Sequence, residues 1–279
     1  KGLFTAQLAA LGTAKISALE STDIAALGSA QLRGFSTAQF EQFSSAQIGA
    51  ISSTGVSGLS TSQVDSLGLT QLSALSSSAM RGLSDTQLQA IATAKISAIE
   101  SLDLTALTSA QMGGFSSNQV SQLTASQLPG INAINIKGVT PTQVGAFTTL
   151  QLQTLSATQF SALSASQLQG ILPSRIGSIE AGDIGALTSV QLTALTTAQF
   201  AQLTGTQLQA VSSAKIASFE LADIAALGTS QLRDLNAAQV NALTVAQLKT
   251  LHTNQAAGLS TAAIASGSLF TPTQLSGLS

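Results

Sequence analysis

The sequence predicts an all-α solenoid of short capped helices, one for every eight residues. Three observations predict it. The chain divides into octads from Thr5 to Ser268 without insertion or deletion, giving 33 units. Apolar residues fill octad positions 4 and 7, a spacing of three that puts both on one face of a helix. Position 8 is mostly Ser, Thr or Gly and stands three residues before position 3 of the next octad. Gln fills that position in 21 of the 33 units, so S/T-x-x-Q, the capping box, recurs along the chain.

The first units read TAQLAALG, TAKISALE and STDIAALG, and the consensus is [S/T]-[A/S/T]-Q-[L/I/V/F]-x-[A/G]-[L/I/F]-[S/T/G]. Ser36 with Gln39, Ser44 with Gln47 and Ser84 with Gln87 are typical cap pairs. The hydroxyl accepts from an orphan N–H of the first turn, and the Gln reaches back to the cap backbone. Gly12, Gly28 and Gly228 at position 8 serve as tolerated caps and help the preceding helix to end. Ala, Leu and Gln favour helix. A β-solenoid is the rival for an octad. The spacing of three, the cap pairing and the scarcity of β-branched residues outside the caps argue against it. A helix of two turns is unstable alone, so the octads must stack.

Pro141 and Pro173 fall at position 1, and Pro272 opens the last unit; proline suits a first helical residue. Pro129 falls at position 5, so residues 129–137, with Asn132 and Asn135, should be the least regular stretch. The phase breaks at Leu269, Phe270 and Thr271, and residues 269–279 read as one out-of-phase terminal repeat.

A second period overlies the first. Lys15, Lys95, Arg175 and Lys215 replace Gln at position 3, separated by multiples of forty residues. Each opens the same constellation: Glu20 and Asp23, Glu100 and Asp103, Glu180 and Asp183, Glu220 and Asp223 follow in turn. Phe40, Phe160 and Phe200 keep the same spacing. Five octads are therefore a unit, either of gene duplication or of the superhelical turn. Rods about 10 Å long and about as wide would overlap in a triangle, whereas five leave a centre for Leu and Phe. The expectation is five octads per turn, with Phe160 against Phe200 and Arg175 near Lys215.

Little here carries chemistry. Only 8% of residues are charged and the net charge is −2, so there is no basic patch for nucleic acid. Cysteine is absent, which removes disulfides and thiolate metal sites. No apolar run is long enough for a transmembrane helix. Paired carboxylates could hold Ca²⁺ or exchange protons. Yet Glu20 at a cap and Asp23 three residues on both sit where the helix dipole favours negative charge, with Lys15 available to pair. His252 is the sole histidine and occupies a cap position, too little for a metal site or a triad. The serines read as caps, and no G-x-S-x-G elbow occurs. No catalytic, cofactor-binding or metal-ligating residue is expected, no cofactor, and no enzyme activity. Lys1 to Phe4 run straight into the repeat without a signal peptide, as in a processed form or a piece of a longer chain.

Units such as LTTAQFAQL (195–203) and LTVAQLKTL (243–251) resemble the octapeptide tracts of large bacterial surface and secreted, adhesin-like proteins. That resemblance covers nearly the whole chain and implies an exported, extracellular, non-catalytic role. The short-helix superhelix also looks like the cytosolic N-domain of magnesium transporters. Those repeats are longer and acidic, so no function follows from the likeness. The expected role is a rigid spacer or filament module at the bacterial surface or outside the cell; a solenoid binding module for a peptide, glycan or surface is the alternative. Residues 3–12 and 269–279 are as apolar as the middle and share Leu-Phe-Thr, so the expected partner is a second copy stacked end to end.

Overall fold

The structure, a computed structural model, describes residues 4–265. Leu3 and the terminal repeat 269–279 lie outside the described residues. Every regular element among those described is helical, and there is no strand. The chain is a helical repeat solenoid. Its helices run four to six residues, as in Thr37–Phe40, Ser45–Gly49 and Thr61–Ser66. Between them lie two extended residues, positions 7 and 8. Leu67 has ψ 127° and Gly68 has ψ 170°.

The chain divides into two compact units between Ala146 and Phe147. Both stack their helices by the same rule. In the first, Ser21–Ala25 packs on Ser45–Gly49, and Ser29–Arg33 on Ser53–Val56, which packs in turn on Ser77–Gly82. In the second, Ala157–Ala162 packs on Ala181–Ala186, which packs on Gly205–Ala210. Each partner lies twenty-four residues on, three octads and not five.

The expectation of five octads per turn is thereby corrected. Phe200 sets its ring against Phe219 (4.7 Å between centroids) and not against Phe160. Arg175 and Lys215 each donate to a different backbone segment. The earlier geometry omitted the corners. Six helical residues and two extended ones span about 15 Å, so rods about 10 Å wide fit around a triangle without overlap. The forty-residue period is not a turn.

The octad pattern sets burial directly. From Phe35 to Leu243 every residue at positions 4 and 7 is buried. Phe40, Phe147, Phe160 and Phe200 are fully enclosed, and Phe35, Phe40 and Phe43 form an edge-on and tilted aromatic cluster with centroids 5.0 to 6.2 Å apart. Position 5 is exposed or half-buried. Position 6 is small in most octads, where the end of the helix meets the start of the helix three octads earlier. A Cβ on Gly82 would lie 2.3 Å from the Ser53 carbonyl oxygen, so only glycine permits that approach.

Departures from the octad helix have local causes. Pro129 leaves Leu128–Gly130 as a 3-10 turn, and Asn135–Gly138 is 3-10 as well, which is the irregular stretch expected. Thr253–Ala265 is one thirteen-residue helix across two octads.

Leu155 is 2% exposed and Ser161 is exposed. Leu155→Asp should lower the melting temperature by roughly 10 °C, from about 3–5 kcal/mol for a buried unpaired charge. Ser161→Asp should leave it within about 2 °C, both read by thermal circular dichroism.

Candidate functional site

The densest chemistry in the molecule is the row of position-3 side chains, and most are buried glutamines. Gln39, Gln119 and Gln199 are 2%, 1% and 0% exposed. Burying a primary amide is unfavourable unless its hydrogen bonds are made. These make them at both ends. In Gln119, Oε1 accepts from the Ser116 backbone N–H (2.7 Å), while Ser116 Oγ accepts from Gln119 N–H (3.2 Å), completing the capping box. Nε2 then donates to Leu88 O (2.9 Å) and Ile91 O (2.7 Å), thirty-one and twenty-eight residues back. Gln39 repeats this on Leu8 O and Leu11 O, and Gln199 on Leu168 O and Ile171 O.

Those carbonyls are positions 4 and 7 of the octad four units earlier, where a short helix ends; the position-4 carbonyl, as in Leu88, also accepts from the N–H of Ile91, so the amide is its second donor. One glutamine therefore caps the start of its own helix and the end of another. The capping half was legible in S/T-x-x-Q. The donating half was not, because no local pattern shows which turn lies beneath. The signal available was that Gln, and not Glu, recurs: Glu also caps but has no N–H to give.

The charged substitutions at this position supply one half each. Lys215 Nζ donates to Gly185 O (2.7 Å) and Leu187 O (2.6 Å), and Arg175 Nη1 donates to Phe147 O. Lys95 donates to Asp65 O and pairs with its carboxylate at 3.9 Å, a partly exposed contact of little weight. Lysine accepts nothing, so the caps Gly12 and Ala92 lose their partner. The helices Thr13–Ala18 and Thr93–Ala98 are 3-10 there, whereas Ser213–Ile216 and Pro173–Ile176, with Lys215 and Arg175 at the same position, remain α.

Asp23, Asp103, Asp183 and Asp223 have the opposite defect. Asp103 Oδ2 accepts from Glu100 N–H (3.3 Å), but a carboxylate offers no N–H to the turn below. Hydroxyls three octads back relieve two of them: Ser77 Oγ donates to Asp103 Oδ1 (2.8 Å) and Thr197 Oγ1 to Asp223 Oδ1 (3.2 Å). The equivalent residue for Asp183 is Ala157. Asp183 Oδ2 and Asp223 Oδ2 are buried without a partner. Burial raises all three buried carboxyls above the ordinary Asp range; the charges of Glu100, Glu180 and Glu220 add to this, and the Ser77 and Thr197 bonds oppose it.

The Lys, Glu and Asp constellations thus serve cap and rung positions, and the structure does not gather them into one cluster. Among the described residues no three His, Asp or Glu side chains stand together as a metal site. His252 is an exposed cap whose N–H donates to Gln255 Oε1 (2.8 Å). No described helix is long and apolar enough to cross a membrane.

The family model for the ALTTAQ repeat matches residues 16–53, 96–131, 176–213 and 216–253, together more than half of the chain. The chain belongs to the ALTTAQ repeat family. No curated protein matches it. The signature itself stands at 194–199, and it spells the joint between octads: Ala194 the close approach, Leu195 the core, Thr196 the cap and Gln199 the rung. The matched windows begin directly after Lys15, Lys95, Arg175 and Lys215. The forty-residue period is therefore the ALTTAQ sequence unit, laid over a turn of different length.

Gln119→Glu should destabilise the ALTTAQ array by about 1–3 kcal/mol, since Ile91 O loses the amide donor and Leu88 O keeps only the Ile91 N–H. Gln119→Lys keeps the donors and loses only the cap, so its loss should be about 1 kcal/mol; urea unfolding midpoints measure both. Ala157→Ser should restore the missing hydroxyl beneath Asp183 and raise stability by about 0.5–1.5 kcal/mol in the same assay.

Proposed function

We propose that this structural repeat protein acts as a rigid, non-catalytic spacer, joined end to end into a filament at the bacterial surface or outside the cell. One observation carries the reading. Leu11, Leu19 and Leu27 are half-exposed, while their equivalents from Phe35 to Leu243 are buried. Gln7 and Lys15 stand exposed at the position where other octads reach down to carbonyls. Such a face fits the carbonyl side of another turn, and a head-to-tail contact that does not close makes a fibre. Low charge and the family's repeat character support a structural role over a catalytic one.

A second reading, a binding module, has one feature in its favour. The first unit carries an open groove of about 600 Å³ lined by Leu69, Thr70, Ser73, Ser97 and Glu100, whose hydroxyls and single carboxylate suit a polyhydroxylated ligand.

Light scattering on the isolated chain separates the two. The filament reading expects mass to grow with concentration, and Leu11→Asp or Leu19→Asp to return it to monomer. A monomer at every concentration, unchanged by either substitution, rules the filament out and leaves the groove to be titrated with glycans.

A further inference from the structure

Asp183 and Asp223 are 7% and 2% exposed, and each has a carboxylate oxygen without a partner. They occupy the position where glutamine donates to the turn below. A side chain of their length reaches that turn. Asn135, at the same octad position, donates Nδ2 to Leu104 O, thirty-one residues back, at 2.8 Å. The same step leads from Asp183 to Leu152 O and from Asp223 to Leu192 O. What an aspartate lacks is a hydrogen, and a protonated carboxyl has one.

We propose that Asp183 and Asp223 are acid-operated rungs, each donating its carboxyl O–H to the carbonyl below when protonated, so that the array tightens as pH falls. Solvent supplies the proton, and no other reactant is needed. A cation between carboxylate and carbonyl is the competing solution. It would have to shed its water for a site with one buried carboxylate, because Glu180 and Glu220 are exposed.

The surroundings are compatible. Around Asp183, the packed helices Ala157–Ala162 and Gly205–Ala210 carry no charged residue, nor does Thr149–Thr154 below. Glu180 is the charged neighbour on its own octad, and Lys215 above is engaged by Gly185 O and Leu187 O at the far end. Around Asp223, Thr197–Phe200, Val245–Leu248 and Ser189–Thr193 carry none. Glu220, the cap Lys249 and the cap His252 are its charged or titratable neighbours. Thr197 occupies Asp223 Oδ1 and leaves Oδ2 for the proton.

The sign follows from burial. A carboxyl raised in the fold stabilises it fully below the ordinary Asp range, and that contribution is lost as pH rises through the raised value. Acid should therefore strengthen these two joints.

The test compares thermal unfolding of the full chain and Asp183→Asn/Asp223→Asn from acid to neutral pH. Asparagine carries the donor permanently. The variant should melt higher than the parent at neutral pH, and the two should converge in acid as the parent gains its protons. Parallel curves, or a variant no more stable at neutral pH, overturn the proposal. Should the variant fail to fold, the parent's own side-chain carboxyl carbons decide by NMR: titration midpoints above that of aspartate in an unstructured peptide support the rungs, and midpoints at or below it overturn them. Ca²⁺ that stabilises the parent but not the variant at neutral pH assigns the positions to a cation and overturns the protonated form.

Discussion

The structure depends on the reach of one side chain. A glutamine carboxamide is long enough to fold back on its own cap and still present two N–H groups to the turn below. Each octad is too short to satisfy its own ends, because a helix of four to six residues has more orphaned groups than internal bonds. In Gln119 the cap N–H and two distant carbonyls meet one planar group. Lysine and arginine at the same place supply only donors and aspartate only acceptors, and at Asp183 and Asp223 the deficit shows as a buried oxygen without a partner.

The same reach explains the strict register. The amide meets carbonyls twenty-eight and thirty-one residues back, while the helices themselves stack at twenty-four. An inserted residue would move the amides of the next four octads off the carbonyls laid down before it. That accounts for an array without insertion from Thr5 to Ser268, although residues vary within the octad, at position 3 as elsewhere. The ALTTAQ unit of about forty residues adds no further constraint of this kind. It copies five octads, and since helices stack at three, its Lys, Glu and Asp positions do not fall above one another within either unit.

Much of this was legible beforehand. Helix, octad phase, the buried positions 4 and 7 and the disturbance at Pro129 all follow from local spacing, because each is decided within eight residues. The turn was not legible, because it depends on the two extended residues at each corner, whose conformation the apolar pattern does not encode. The second role of Gln119 was hidden for the same reason: its carbonyl partners are chosen by the turn. Asp183 read as a cap residue near a helix dipole. Its burial and the missing hydroxyl at Ala157 become apparent only when the octad three units back is placed against it.

The account's central claim is that position-3 amides join successive turns. Hydrogen exchange of side-chain amides by NMR tests it most directly. The Nε2 protons of Gln119 and Gln199 should exchange as slowly as backbone amides of the core, while those of Gln153, exposed at position 5, exchange at the rate of free glutamine. Equal, fast exchange at all three would contradict the claim.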